Sequence, residues 1–374
     1  MIQRILEKQL DERLMQGKTL ILLGARQTGK TTIIKNILKK NESPASYYNA
    51  DNPSIREQWQ NASLSFIKQL IGQDKLIVID EAQRIKNIGI TLKLIHDEIP
   101  NIQVIASGSS SFDLSNEISE PLTGRNREFM LYPLSWNELV GHFGFSQSLE
   151  NLPQRLIFGS YPEVVTKPGE EIEILNDLSG DYLYRDLLSF KGIRKPEQLQ
   201  KLLQALALQV GSEVSYNGLS RLLEIDKNTV MNYLDILEKA FIIFRLSSYS
   251  NNPRNEISNG KKVFFYDNGI RNALIQSFNS INLRQDIGAL WENYIIAERV
   301  KKNAIERNWA KLYFWRNQSK QEIDLIEEKS GQLSAIEIKW STKSKVKFPL
   351  SFRNQYPNAV LSKINPDNFY EALS

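Results

Sequence analysis

The chain has 374 residues, enough for two or three domains, and its 41% hydrophobic and 24% charged residues are the balance of an ordinary folded protein. With no cysteine and only two histidines, His96 and His142, it has no disulfide or thiolate zinc site, and histidine-rich metal centres and serine–histidine triads are disfavoured. The net charge of +4 is uneven: Arg299–Ser374 carries fourteen Lys and Arg against eight Asp and Glu, so the preceding residues are slightly acidic. Any metal would be held by oxygen ligands, the set that suits magnesium or manganese. The basic C-terminal region points to a phosphate-rich partner, or it is only a solvated basic surface.

MIQRILEKQLDERLMQG, at the start, reads as an amphipathic helix without the apolar block of a signal peptide. With no cysteine and no run of about 18 apolar residues, the expected location is the cytoplasm, with no membrane contact. Next, TLILLGARQTGKTTIIKNIL (Thr19–Leu38) joins a buried strand to a helix through a loop that fits G-x-x-x-x-G-K-S/T. Gly24, Ala25, Arg26, Gln27, Thr28, Gly29, Lys30, Thr31 and Thr32 are the expected ATP-binding residues. The loop's N–H groups and the helix N-terminus would hold phosphates. Lys30 would reach the β- and γ-phosphates, and the Thr31 hydroxyl would bind magnesium.

KLIVIDEAQ (Lys75–Gln83) reads as a buried parallel strand that delivers an acidic pair to the ligand crevice. Asp80 would hold the magnesium and Glu81 would orient and polarise the attacking water. NIQVIASGSSS (Asn101–Ser111) is a further strand. Ser109 or Ser110 at its end would sense the γ-phosphate, unless this is an ordinary serine-rich turn. In EPLTGRNREFMLYPLSWNEL (Glu120–Leu139), Arg125 is a candidate for stabilising the transferring phosphoryl group of a neighbouring subunit, which would require a homo-oligomer. The plainer readings are a surface arginine paired with a carboxylate and, for Arg127, a residue flanking the strand.

GARQTGKTT, LIVIDEAQRI and LTGRNREFMLYPLSWNEL together resemble a prokaryotic family that pairs an AAA-type P-loop ATPase with a C-terminal DUF4143 domain. GSYPEV (Gly159–Val164) and YLYRDL (Tyr182–Leu187) also look like its landmarks. Gly159 and Pro162 mark a turn, followed by a helix that would form a lid or a link.

Helical spacing then places helices near 199–210, 215–223 and 227–239, with Asp226 as the cap of the third, before the strand AFIIFRLSSY. This order resembles a winged helix-turn-helix. Lys227, Asn228, Thr229 and Asn232 would meet base edges; alternatively the module only packs between domains. NNPRNEISNGKK (Asn251–Lys262) is rich in turn formers and reads as a linker or loop.

GALWENYIIAERVKK (Gly288–Lys302) reads as a helix carrying Glu292, followed by the strands KLYFWRN, QEIDLIEE and LSAIEIKW. Alternation along the last two would let Asp324, Glu337 and Lys339 converge if they pair in register. Opposite charges across strands also make ordinary stabilising pairs. The set D-x(12)-E-x-K resembles the active-site signature of the PD-(D/E)XK nucleases, although no proline precedes Asp324. The resemblance implies that Asp324 and Glu337, with Glu292 from the helix, hold magnesium while Lys339 positions water or stabilises the transition state.

The expected fold class is α/β. An AAA-type P-loop ATPase core (residues 1–145) would be followed by a helical lid or linker (146–196), a winged helix-turn-helix (197–252) and an α/β nuclease-like domain (253–374). The expected function is ATP hydrolysis by a protein that acts on, or is regulated by, nucleic acid, DNA before RNA, with magnesium-dependent cleavage in the C-terminal domain. The alternative is a nucleotide switch that binds a protein partner through an inactive nuclease-like domain.

Overall fold

The computed structural model describes residues 2–109, 121–182, 187, 193, 195–250 and 260–373. Ser110 lies outside these residues, as do most of Tyr182–Leu187 and of Asn251–Lys262. The chain divides into two compact units, residues 1–132 with 239–241, and residues 133–238 with 242–374.

In the first unit, five strands form a parallel sheet in the order β2-β3-β4-β1-β5. They are β1 (Thr19–Leu23), β2 (Ala45–Asn49), β3 (Leu76–Asp80), β4 (Gln103–Gly108) and β5 (Asn126–Met130). β1, β3 and β4 are buried along their whole length, which is why each reads as a largely apolar stretch rather than an alternating one. Leu6 and Leu10 of helix α1 (Ile5–Asp11) and Ile33, Ile34 and Ile37 of α2 (Lys30–Lys40) pack with Leu20, Leu22, Val78 and Ile105. Each such side chain contributes about 1.5–3 kcal/mol when fully buried. The register pairs Leu23 with Gly108 and Ile79 with Ala106. The carboxyl ends of β1, β3 and β4 therefore finish level, and that edge carries the phosphate loop.

In the second unit, seven strands run in the order β12-β11-β10-β9-β7-β8-β6. These are β6 (Glu213–Val214), β7 (Ile243–Ser248), β8 (Lys261–Phe265), β9 (Lys311–Arg316), β10 (Glu322–Lys329), β11 (Gln332–Ile338) and β12 (Val360–Ile364). The boundary expected at residue 252 runs through this sheet, because β7 pairs in parallel with β9. Helices Pro196–Leu208, α3 (Tyr216–Leu223) and α4 (Lys227–Lys239) form where the spacing places them. One sheet face is covered by α5 (Ile287–Glu306), whose Trp291, Tyr294 and Ile295 pack with Phe264, Phe314, Leu325 and Ile336. Asn293 of α5 brackets Phe265, accepting from its N–H at 2.7 Å and donating to its carbonyl at 3.0 Å.

The GSYPEV stretch has a packing role. A Cβ on Gly159 would lie 1.9 Å from the Asp267 carboxylate, and Ser160 N–H donates to that carboxylate at 2.6 Å. Only glycine lets Asp267 approach this close, and burial raises the Asp267 pKa.

Candidate active sites

β1 feeds the loop Gly24–Gly29, and Gly29 (φ 99°) opens α2. A Cβ on Gly24 would sit 2.1 Å from the Leu131 carbonyl oxygen, so the close passage of two backbones fixes glycine there. Lys30 is buried, and its ammonium donates to the carbonyls of Gly24 at 2.8 Å and Ala25 at 2.9 Å. Thr28 Oγ1 donates to Ala25 O at 2.8 Å. Buried Arg4, just before α1, donates to Thr28 O and, at 2.7 Å, to Tyr132 O.

Asp80 ends β3 at 1% exposure. One carboxylate oxygen accepts from Thr31 Oγ1 at 2.9 Å and the Tyr47 hydroxyl at 2.6 Å; the other accepts from Ser107 Oγ. Burial first, and the bond to Asp80 second, push the Tyr47 phenol well above its ordinary pKa. Glu81 follows in the left-handed region (φ 54°, ψ 39°), a conformation that costs a non-glycine residue on the order of 1–3 kcal/mol. Its carboxylate accepts from Gln83 Nε2 at 2.6 Å and Ser109 Oγ at 3.3 Å. The Thr31 hydroxyl and the Asp80 carboxylate meet as hard oxygen donors at the start of α2, a set that fits magnesium beside a phosphate.

Spacing alone missed Arg4, Tyr47, Ser107 and Gln83. Ser107 was legible in principle: it is the β4 residue one step beyond Ala106, the partner of Ile79, which puts it level with Asp80.

Arg125 sits at the other end of this sheet. Its carbonyl accepts from Thr19 N–H, at the beginning of β1, and its guanidinium pairs with Asp97 at 2.7 Å. Its own chain's phosphate loop is a strand length away, and Arg127 lies within β5.

In the second unit, β10 and β11 pair from Leu325 opposite Ile336 to Lys329 opposite Gln332, which leaves Asp324 and Glu337 just beyond the paired residues. Against β9 the register shifts between Ile323 and Ile326, around Asp324. Lys339 Nζ bridges Asp324 at 2.8 Å and Glu337 at 2.7 Å, and Asp324 also accepts from Ile338 N–H at 2.7 Å. Burial, then the charge of Asp324, raises the Glu337 pKa to about 7. Burial alone would lower the Lys339 pKa, but the two carboxylates outweigh it and raise it.

Glu292 joins the edge of this cluster. Its carboxylate accepts from Lys262 at 3.1 Å, and Lys262 also pairs with Glu322 at 2.6 Å. Burial raises the Glu292 pKa to about 7 against the opposing pull of Lys262. Among the described residues no three Asp, Glu or His side chains are grouped to hold a metal. Asp324 and Glu337 instead share Lys339, and Glu292, expected as a third ligand, is held by Lys262; burial and the like charge of Asp324 favour the proton on Glu337.

On α4, Lys227, Asn228 and Asn232 are exposed and Thr229 is half-buried. The Asp226 carboxylate accepts from the N–H groups of Asn228 at 2.9 Å and Thr229 at 3.0 Å, the expected cap.

Three families match the chain: an AAA domain at residues 16–140, a domain of unknown function (DUF8612) at 149–281, and a domain of unknown function (DUF4143) at 287–367. The uncharacterized protein Rv2008c of Mycobacterium tuberculosis is 29% identical over 335 residues, covering 88% of this chain and 72% of that one. The uncharacterized protein MJ1544 of Methanocaldococcus jannaschii is 24% identical over 348 residues, covering 86% and 75%. Among solved structures, the Walker-type ATPase PABY2304 of Pyrococcus abyssi is similar with a TM-score of 0.50 and 16% identity, covering 74% of this chain and 96% of that one. Among the described residues, no helix is long and apolar enough to cross a membrane. The chain carries a P-loop ATPase core of the AAA type, followed by a DUF4143 domain.

Proposed function

We propose that the first unit binds and hydrolyses ATP with magnesium, and that the second unit acts on nucleic acid. The observation that carries the ATPase reading is the meeting of Thr31 and Asp80 at the mouth of the phosphate loop, 2.9 Å apart. Lys30 would exchange its loop carbonyls for the β- and γ-phosphates. Thr31 and Asp80 would hold magnesium, which neutralises charge between the phosphates when bound. Glu81 would orient the attacking water, and Ser109, within reach of the same carboxylate, would report the γ-phosphate. Phosphate release and binding of a fluorescent ATP analogue test these roles. Lys30→Ala should lose binding, and Glu81→Gln should bind but hydrolyse at least tenfold more slowly. Parent-like hydrolysis by Glu81→Gln would remove Glu81 as the water-orienting residue.

For the second unit, the reading is a PD-(D/E)XK-like fold with magnesium-dependent phosphodiester cleavage. Asp324 and Glu337 would hold the ion, which lowers the pKa of a bound water. Lys339 would position that water or stabilise charge on the phosphate. The convergence of Asp324, Glu337 and Lys339 supports this. Residues 197–252 would form a winged helix-turn-helix that presents Lys227, Asn228 and Asn232 to DNA. Loss of DNA affinity in Lys227→Ala and Asn232→Ala would support that role, and unchanged affinity would reduce the module to packing. The second reading, an ATP switch binding a protein partner through an inactive nuclease-like domain, draws on the ion pairs by which Lys339 occupies both carboxylates.

A further inference from the structure

Arg4 is a buried arginine, 7% exposed, that the ATPase reading leaves without a task. It directly precedes α1, which is fixed on the first unit by the buried Leu6 and Leu10 and by Glu7, whose carboxylate accepts from Lys40 at 2.6 Å and Asn36 at 3.0 Å on α2. One arm of the Arg4 guanidinium donates to Thr28 O and the other, at 2.7 Å, to Tyr132 O. The planar fork of an arginine holds two acceptors at once in a rigid geometry. Gly29, the next residue of the loop, would carry its Cβ 3.9 Å from Arg4 Nη1.

We infer that Arg4 is a positioning residue for nucleotide binding: by holding Thr28 O it keeps the Gly29 N–H turned toward the phosphates. This rests on the ATP-binding reading of the first unit. Thr28 O and the Gly29 N–H belong to one peptide group, and in a planar trans peptide the two point in opposite directions. No peptide bond among the described residues is cis. With the carbonyl committed to Arg4, the N–H points away from it, and it donates to no group among the described residues. The loop's N–H groups are what a phosphate needs. Glycine is required at position 29 by its φ of 99°, yet the same freedom makes this peptide easy to turn over. A turned peptide would present a carbonyl oxygen to the phosphates and repel them. Arg4 removes that alternative. The N–H would meet the nucleotide equally in ATP, in ADP and in the transition state, so its loss should weaken binding more than turnover.

The test combines ADP binding, phosphate release and amide spectra of isotope-labelled glycine, all on the full chain. In Arg4→Met the dissociation constant of ADP and the KM for ATP should rise at least about tenfold, which is about 1.4 kcal/mol. The kcat should change by less than about threefold. In the parent, the Gly29 amide proton should move downfield when ADP binds, as an N–H does on donating to an anion, and in Arg4→Met it should not. A role confined to holding α1 in place would lower the melting temperature without moving that resonance. ADP affinity within about threefold of the parent in a folded Arg4→Met would overturn the inference and leave the ATP-binding reading standing. So would a Gly29 amide that does not respond to ADP in the parent. A parent that binds neither nucleotide would overturn both. The parent spectrum decides even if Arg4→Met does not fold.

Discussion

Ser107 is the residue whose removal most directly probes how Asp80 is held. Its hydroxyl is fully buried, donates to one Asp80 carboxylate oxygen and lies 3.3 Å from Glu81 N–H. Ser107→Ala leaves that oxygen with only the Glu81 N–H at 3.2 Å, at a position fully shielded from solvent. Hydrogen bonds to charged groups contribute about 1.5–3 kcal/mol, so the first unit should lose about that much stability. Tyr47→Phe removes the 2.6 Å bond on the other oxygen, but Tyr47 is half-buried and water can substitute, so its cost should be smaller. Urea denaturation followed by circular dichroism measures both. A cycle of Ser107→Ala with Asp80→Asn should show a coupling above about 1 kcal/mol, because the two groups touch. Coupling near zero would refute the claim that Ser107 secures the carboxylate.

Gly24→Ala should abolish ATP-analogue binding, since its Cβ would meet the Leu131 carbonyl at 2.1 Å; retained affinity would show that the loop can move away. Glu337 and Glu292, both raised to about 7, keep their protons longer in the folded chain than in the unfolded one. Their contribution to stability is full below about pH 4.5 and is lost as pH rises through 7, at up to about 1.4 kcal/mol per pH unit for each proton. Thermal denaturation between pH 5 and 8 should show this loss, and Glu337→Gln should flatten it; a slope unchanged in Glu337→Gln would contradict the assignment. For Arg125, the distance from its own phosphate loop means that any catalytic role is in trans. Mixing Arg125→Ala with Lys30→Ala protein should then restore part of the ATPase activity, and no recovery would leave Arg125 as the surface partner of Asp97.

The parts of the molecule that were legible in the sequence are the local ones. The phosphate loop is contiguous and its glycines are set by nearby backbone, so spacing identified it. β3 and β4 announced themselves as apolar runs because both faces of a parallel sheet are covered. The Asp324–Glu337–Lys339 grouping followed from alternation once a two-strand register was assumed. What spacing did not reveal depends on contacts between distant segments. Arg4 reaches Thr28 from the start of the chain, Tyr47 reaches Asp80 from the adjacent strand, and Lys262 meets Glu322 across two intervening strands. Pairing of β7 with β9 likewise drew one sheet across a stretch that composition marked as a linker, since turn formers say nothing about which strands on either side will pair.

For the second unit, the proposal is that Asp324, Glu337 and Lys339 cleave phosphodiesters with a divalent cation. The most direct measurement incubates the purified chain with labelled single- and double-stranded DNA and RNA, with magnesium or manganese, with and without ATP, beside Lys339→Ala. Cleavage should depend on the metal and fall at least a hundredfold in Lys339→Ala while ATP binding persists. Equal products from both proteins, or none with any substrate, would contradict it and leave the nucleotide switch as the reading of this chain.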